Sequence, residues 1–237
     1  MSSFHHSLRI PAILLCSFGL IHCGGTEKPA ELVRTGPPVT PDEVNGATVT
    51  GKVAYTGATP APKPIDMSAN PQCERSHRDH PVNADDIVVN PNRTLRNVFV
   101  WVKSGVPSQN WAVPGGAVEI DQQYCMYHPH VLGVMAGQSV RISNSDPVNH
   151  NIHPIPQINE EWNDTQSTGE APKLRSFAKQ EVMVPVKCNV HPWMRAYIGV
   201  VSHPFFAVTG DDGSFTIKGL PPGTYTIQTW HEKFGTQ

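Results

Sequence analysis

The chain has 237 residues, room for one or two domains, and its 18 basic and 20 acidic side chains leave a net charge of -2. That balance gives no electrostatic footing for nucleic acid. Its 23 prolines and 19 glycines are scattered among short alternating apolar runs, a pattern that excludes long amphipathic helices and predicts an all-β protein.

At the N-terminus, His5, His6 and Arg9 precede an apolar run from Ile10 to Ile21. The run is too short to span a bilayer, so residues 1–23 read as an export signal, with the periplasm or outer cell envelope as destination. It ends in Leu20-Ile21-His22-Cys23-Gly24-Gly25, which resembles a bacterial lipobox with Cys23 as the lipidated residue and membrane tether. His22 departs from that motif, where a small residue normally precedes the cysteine; an ordinary secretory signal is the other reading. Residues 24–46, with Pro29, Pro37, Pro38 and Pro41, form an extended linker.

Strands are predicted over Thr48–Gly57 and Val98–Val102. Of five cysteines, Cys16 and Cys23 lie in the leader, and Cys73 and Cys125 form the pair that an oxidising compartment would join. Nearby His77, His80, His128 and His130 make a second metal site there the alternative. Val140, Ile142 and Asn144 alternate onto one strand face, so Asn144 ends that strand as an inward polar group shortly before His150 and Asn151. Val182, Val184, Val186 and Cys188 alternate in the same way, which delivers the Cys188 sulfur toward the core. Ala196, Ile198 and Val200 repeat the pattern after the loop.

That loop carries the chemistry. Cys188-Asn189-Val190-His191-Pro192-Trp193-Met194 sets a thiolate, an imidazole and a thioether at C-x-x-H-x-x-M spacing, and His150 offers a second imidazole. A soft thiolate, two nitrogens and a weak thioether suit copper cycling between Cu(I) and Cu(II). Zinc fits less well, because a thioether is a poor ligand for a structural zinc site. No third group stands out to orient a thiol nucleophile, and His153 is the alternative to His150.

These residues resemble a cupredoxin of the plastocyanin and amicyanin kind over about Val118 to His203, with the domain set at residues 117–203. The resemblance implies a Greek-key sandwich binding one type 1 copper per chain through His150, Cys188, His191 and Met194. Asn151 falls where the family has an asparagine beside the thiolate. The family's C-terminal histidine has one edge near solvent, which implies an electron port at His191, Pro192 and Trp193. The implied function is single-electron carriage, with no enzymatic activity of its own, to a transient partner such as a c-type cytochrome or a periplasmic dehydrogenase. A copper storage or delivery protein is the alternative.

In the last segment, Gly210–Ile217 reads as a hairpin with an Asp-Gly turn, and Leu220-Pro221-Pro222-Gly223-Thr224-Tyr225 as a turn into the final strand. Residues 47–110 and 204–237 together resemble a carboxypeptidase regulatory-like, or prealbumin-like, β-sandwich, which implies a second small sandwich built from segments flanking the copper domain. A structural surface module with an inactive cupredoxin insert is the remaining alternative.

Overall fold

The computed structural model describes residues 36–44, 46–79 and 81–237. The export signal with Cys16 and Cys23, part of the linker including Pro29, and His80 lie outside the described residues. The described chain is all-β, its one α-helix being the six-residue α1 (Pro71–Ser76).

Four sheets carry the strands. In chain order these are β1 (Ala47–Lys52), β2 (Phe99–Ser104), β3 (Val118–Gln123), β4 (Met126–His128) and β5 (Val131–Met135). Next come β6 (Val140–Asn144), β7 (His150–Pro154), β8 (Asp164–Gln166), β9 (Lys173–Arg175) and β10 (Glu181–Lys187). The last five are β11 (Arg195–Val201), β12 (Phe206–Val208), β13 (Ser214–Leu220), β14 (Thr226–His231) and β15 (Gly235–Thr236). A five-stranded sheet, β5-β11-β10-β7-β8, faces a four-stranded sheet, β4-β3-β6-β9, and between them lies an apolar cluster that includes Ile120, Ile142, Ile152, Val184, Ile198 and Cys188. Consecutive strands cross repeatedly between these two sheets.

The five-stranded sheet is covered on its other face as well. Phe99 and Trp101 of β2 pack with Val131, Met183 and Val201 in a second cluster. Gly133 and Gly199, partners in the parallel β5–β11 ladder, make room for this approach. A Cβ on Gly199 would lie 2.5 Å from the Phe99 ring. The sheet β12-β2-β14-β15 therefore forms a third layer. Its far side, through Val100 and Val102, packs with Ile217 and Leu220 of the β1–β13 pair. These outer layers come from residues that flank the two inner sheets' strands on both sides.

Two local readings need correction. The alternation that placed Val182 with Val184, Val186 and Cys188 is broken at Met183, where φ is +69° and the β10–β11 register shifts. The bulge turns Val182 and Met183 to the outer cluster and leaves Val184, Val186 and Cys188 facing inward. The Asp211-Asp212-Gly213 turn exists, with Gly213 at φ +70° and its N–H donating to the Gly210 carbonyl at 2.9 Å. The strands on either side do not pair as a hairpin: β12 joins β2 and β13 joins β1, so the turn is a corner between layers.

A buried histidine ties the layers together. His130 Nδ1 lies 3.1 Å from Asp85 and Nε2 lies 3.1 Å from Glu232, the residue after β14. Burial disfavours charge on this ring, but the two carboxylates outweigh it and raise the pKa to about 9. Because the folded pKa lies above that of the unfolded chain, the stabilisation is complete below pH ~6.5 and is lost as pH rises through about 9. The midpoint of urea unfolding should therefore fall over that window by the equivalent of about 3 kcal/mol at most. His130→Gln should be less stable at pH 6 and lack that part of the pH dependence.

Candidate metal centre

β7 begins at His150 and β10 delivers Cys188 from the adjacent strand, so sheet pairing brings the two ligand segments side by side. The loop after Cys188 folds back tightly. Met194 N–H donates to the His191 carbonyl at 3.0 Å, and Cys188 N–H donates to the Met194 carbonyl at 3.2 Å. His150 Nδ1 lies 2.9 Å from His191 Nδ1, and Cys188 Sγ lies 3.7 Å from the same His191 nitrogen. Two metal–nitrogen bonds of about 2.0 Å at ~100° separate their nitrogens by about 3.1 Å, and such a bond with a metal–sulfur bond of about 2.3 Å at ~120° spans about 3.7 Å. The three donors thus fit one ion, and all three residues are buried. Met194 is also fully buried, in the same apolar cluster as Cys188.

A carboxylate that sequence reasoning missed sets the ring of His150. Asp146 Oδ2 lies 2.8 Å from His150 Nε2 and accepts its proton, so that in the neutral ring the lone pair falls on Nδ1, the nitrogen facing Cys188 and His191. Asp146 is held in turn by the backbone N–H groups of Tyr124 and Cys125, at 2.6 and 2.7 Å. The available signal was Asp146 four residues before a candidate metal histidine. Asn144 touches neither donor nor sulfur; its amide donates to the Val148 and Gln166 carbonyls and its Oδ1 accepts from Asp146 N–H, so it shapes the loop between β6 and β7. Asn151 Oδ1 lies 3.3 Å from Cys188 Sγ and accepts the Asn189 N–H at 2.7 Å, pinning the start of the ligand loop.

Burial opposes ionisation of the Cys188 thiol, but hydrogen bonds from His150, His191 and backbone groups overcome it and bring its pKa down to about 5. His150 is pushed the other way. Burial disfavours its charge, and Asp146 and Cys188 more than compensate, so its pKa is raised. The folded chain favours the thiolate, so that contribution to stability is present above the unfolded thiol's pKa and disappears as pH falls through about 5.

The expected electron port needs correction. His191 is only 1% exposed, although Pro192 is at the surface. The Asn70 amide donates to His191 Nε2 at 2.7 Å, and Cys73 Sγ lies 3.6 Å from the same atom. The Trp193 ring packs 5.2 Å from His191 while its N–H donates to the Cys125 carbonyl. Helix α1 supplies this cover: Asn70 is its N-cap, accepting from Gln72 and Cys73 N–H, and Pro71 starts its first turn. Cys73 and Cys125 form the anticipated disulfide, across a sequence separation of 52 that stabilises the fold by about 4 kcal/mol in the chain-entropy account.

Other candidates separate from the centre. His153 bonds Glu161 and Asn189 instead of joining the cluster. His77 donates to the Tyr124 carbonyl, and both His130 nitrogens are engaged. Among the described residues, the second convergent group, Cys125, Asp146 and His150, includes the disulfide-bonded Cys125 and adjoins the same site.

No protein-family model matches this chain, and no curated protein sequence matches it either. Among solved structures, it is similar to a copper-containing nitrite reductase from Thermus scotoductus SA-01, at 22% identity and a TM-score of 0.34 over 41% of this chain. The chain spans 25% of that protein's length. A purple cupredoxin from Nitrosopumilus maritimus shows 23% identity and a TM-score of 0.30, covering 35% of this chain and 98% of that one. A Cu(I) amicyanin variant shows 23% identity and a TM-score of 0.32, covering 43% and 97%.

Two substitutions probe the site. Asp146→Asn should weaken metal binding about 10- to 100-fold by releasing the His150 tautomer, as read by competition against a chelator. A metal on His191 Nδ1 places the ring proton on Nε2, opposite the Asn70 amide nitrogen. Asn70→Asp supplies an acceptor there and keeps the helix cap, so Cu(II) should bind about tenfold tighter in the same assay.

Proposed function

We propose that the chain is an exported type 1 copper protein that carries single electrons. The observation that supports this most is the convergence of His150 Nδ1, His191 Nδ1 and Cys188 Sγ in a buried pocket beside Met194. Copper bound there supplies a one-electron couple whose two oxidation states both accept nitrogen and thiolate ligands. The chain's own part is to hold the donors fixed. His150 is oriented by Asp146, Cys188 is favoured as thiolate, and the loop through Met194 is closed by backbone bonds, so little has to move between states.

Burial argues for retention over delivery. A copper-handling protein exchanges its ion with a partner, whereas His150, Cys188 and His191 here lie beneath Asn70, the disulfide and Trp193. We read the partner as a transient redox protein such as a c-type cytochrome or a periplasmic dehydrogenase, met in the periplasm or cell envelope, and Cys23 as a candidate tether. Residues 47–110 and 204–237 we read as a regulatory-like sandwich that supports the copper domain.

Purified protein loaded with Cu(II) should show an intense sulfur-to-copper charge-transfer band and narrow copper hyperfine splitting in electron paramagnetic resonance. Both should vanish in Cys188→Ala and persist in His128→Ala, an exposed position. Colourless protein that prefers zinc would contradict the proposal.

A further inference from the structure

With the His191 edge covered, the end of β10 where the chain enters Cys188 offers another way to the surface, through the backbone, since the sulfur itself faces the core and Cys188 is 3% exposed. A groove of about 680 Å³ opens there, lined by Ile155, Pro185, Lys187, Cys188, Arg195 and Tyr197 among others. In the β7–β10–β11 ladder, Lys187 pairs directly with Arg195 on one side and with His153 on the other. Directly paired residues project from the same face of a sheet, so Lys187, Arg195 and the His153 ring form one row across three strands, with Lys187 and Arg195 its two fixed cations.

Like charges set opposite each other on a sheet destabilise it. Neither Lys187 nor Arg195 forms an ion pair among the described residues. Nearby carboxylates are already engaged, Glu161 by His153 and Glu232 by His130. Apolar surface adjoins the row, with Ile155 in the groove 38% exposed. Two neighbouring cations, Lys187 and Arg195, beside apolar surface stand out on a chain whose net charge is -2.

We propose that this groove is the docking surface for a redox protein that presents an acidic patch around its own cofactor, and that electrons cross at Cys188 and not at His191. This rests on the copper reading above. In each encounter one electron leaves the reduced copper, which becomes Cu(II), and the partner's oxidised one-electron cofactor gains it. The basic row steers the encounter and the small apolar contact allows quick release.

Two measurements test this, and the first needs no copper. Hexacyanochromate(III), a redox-inert paramagnetic anion, added to metal-free protein should broaden the amide resonances of Lys187, Asn189 and Arg195 before others. The double variant Lys187→Glu/Arg195→Glu should abolish that selectivity. In copper-loaded protein, electron exchange with hexacyanoferrate should slow as salt is raised and should be about tenfold slower in the double variant, with the charge-transfer band unchanged. Broadening centred elsewhere overturns the proposal. So does an exchange rate that ignores the double variant but rises in Asn70→Ala, which would return the port to His191. Absence of the charge-transfer band in the wild-type chain would overturn the copper reading instead, while the broadening decides the acidic docking surface by itself.

Discussion

Two imidazole nitrogens held 2.9 Å apart beside a thiolate constrain much of the architecture around them. Polar atoms gathered so closely inside an apolar cluster cost free energy unless each has a partner. Asp146 takes the outer nitrogen of His150, Asn70 covers that of His191, and Asn151 abuts the sulfur. Asp146 is itself fixed by two backbone N–H groups. The inner donors of His150, His191 and Cys188 are left pointing at a common centre.

This arrangement needs rigid support, and the layers provide it. The five-stranded sheet carries His150 and Cys188 on neighbouring strands, with the site's apolar cluster on one face and the Phe99–Trp101 layer on the other. Gly133 and Gly199 let the outer layer approach closely, and the His130 clamp joins Asp85 and Glu232 to the strands beside the site. The disulfide fastens helix α1 over His191. The flanking segments thus act on the site through the sheet it is built on.

What could be read from the sequence was what is local. The spacing from Cys188 to Met194 and the alternation through Val184 and Val186 depend on neighbours within a few residues, so the ligand loop and its inward aim were legible. The same holds for the all-β class, whereas the Cys73–Cys125 pair, 52 residues apart, was legible from cysteine count and compartment. The cover over His191 was not legible, because Asn70 and Cys73 reach it from more than a hundred residues away. The Asp211–Gly213 turn was recognisable as a turn, but whether its strands pair with each other or leave for different sheets is decided by Phe99 and the layers around it. Lys187, Arg195 and His153 become a row only once the register of three strands is known.

The covered His191 and the open groove beside Cys188 give the site a direction. On the docking proposed above, a centre screened at His191 and backed by Lys187 and Arg195 would meet its partner in short encounters at a single face. Electron carriage at this centre requires the donor atoms to keep their places in both oxidation states. X-ray absorption at the copper edge, recorded on the Cu(II) and Cu(I) proteins, tests this most directly. The prediction is two nitrogens at about 2.0 Å and one sulfur at about 2.2 to 2.3 Å, changing by no more than about 0.1 Å on reduction. A nitrogen and oxygen environment with no sulfur, or loss of a histidine on reduction, would contradict it.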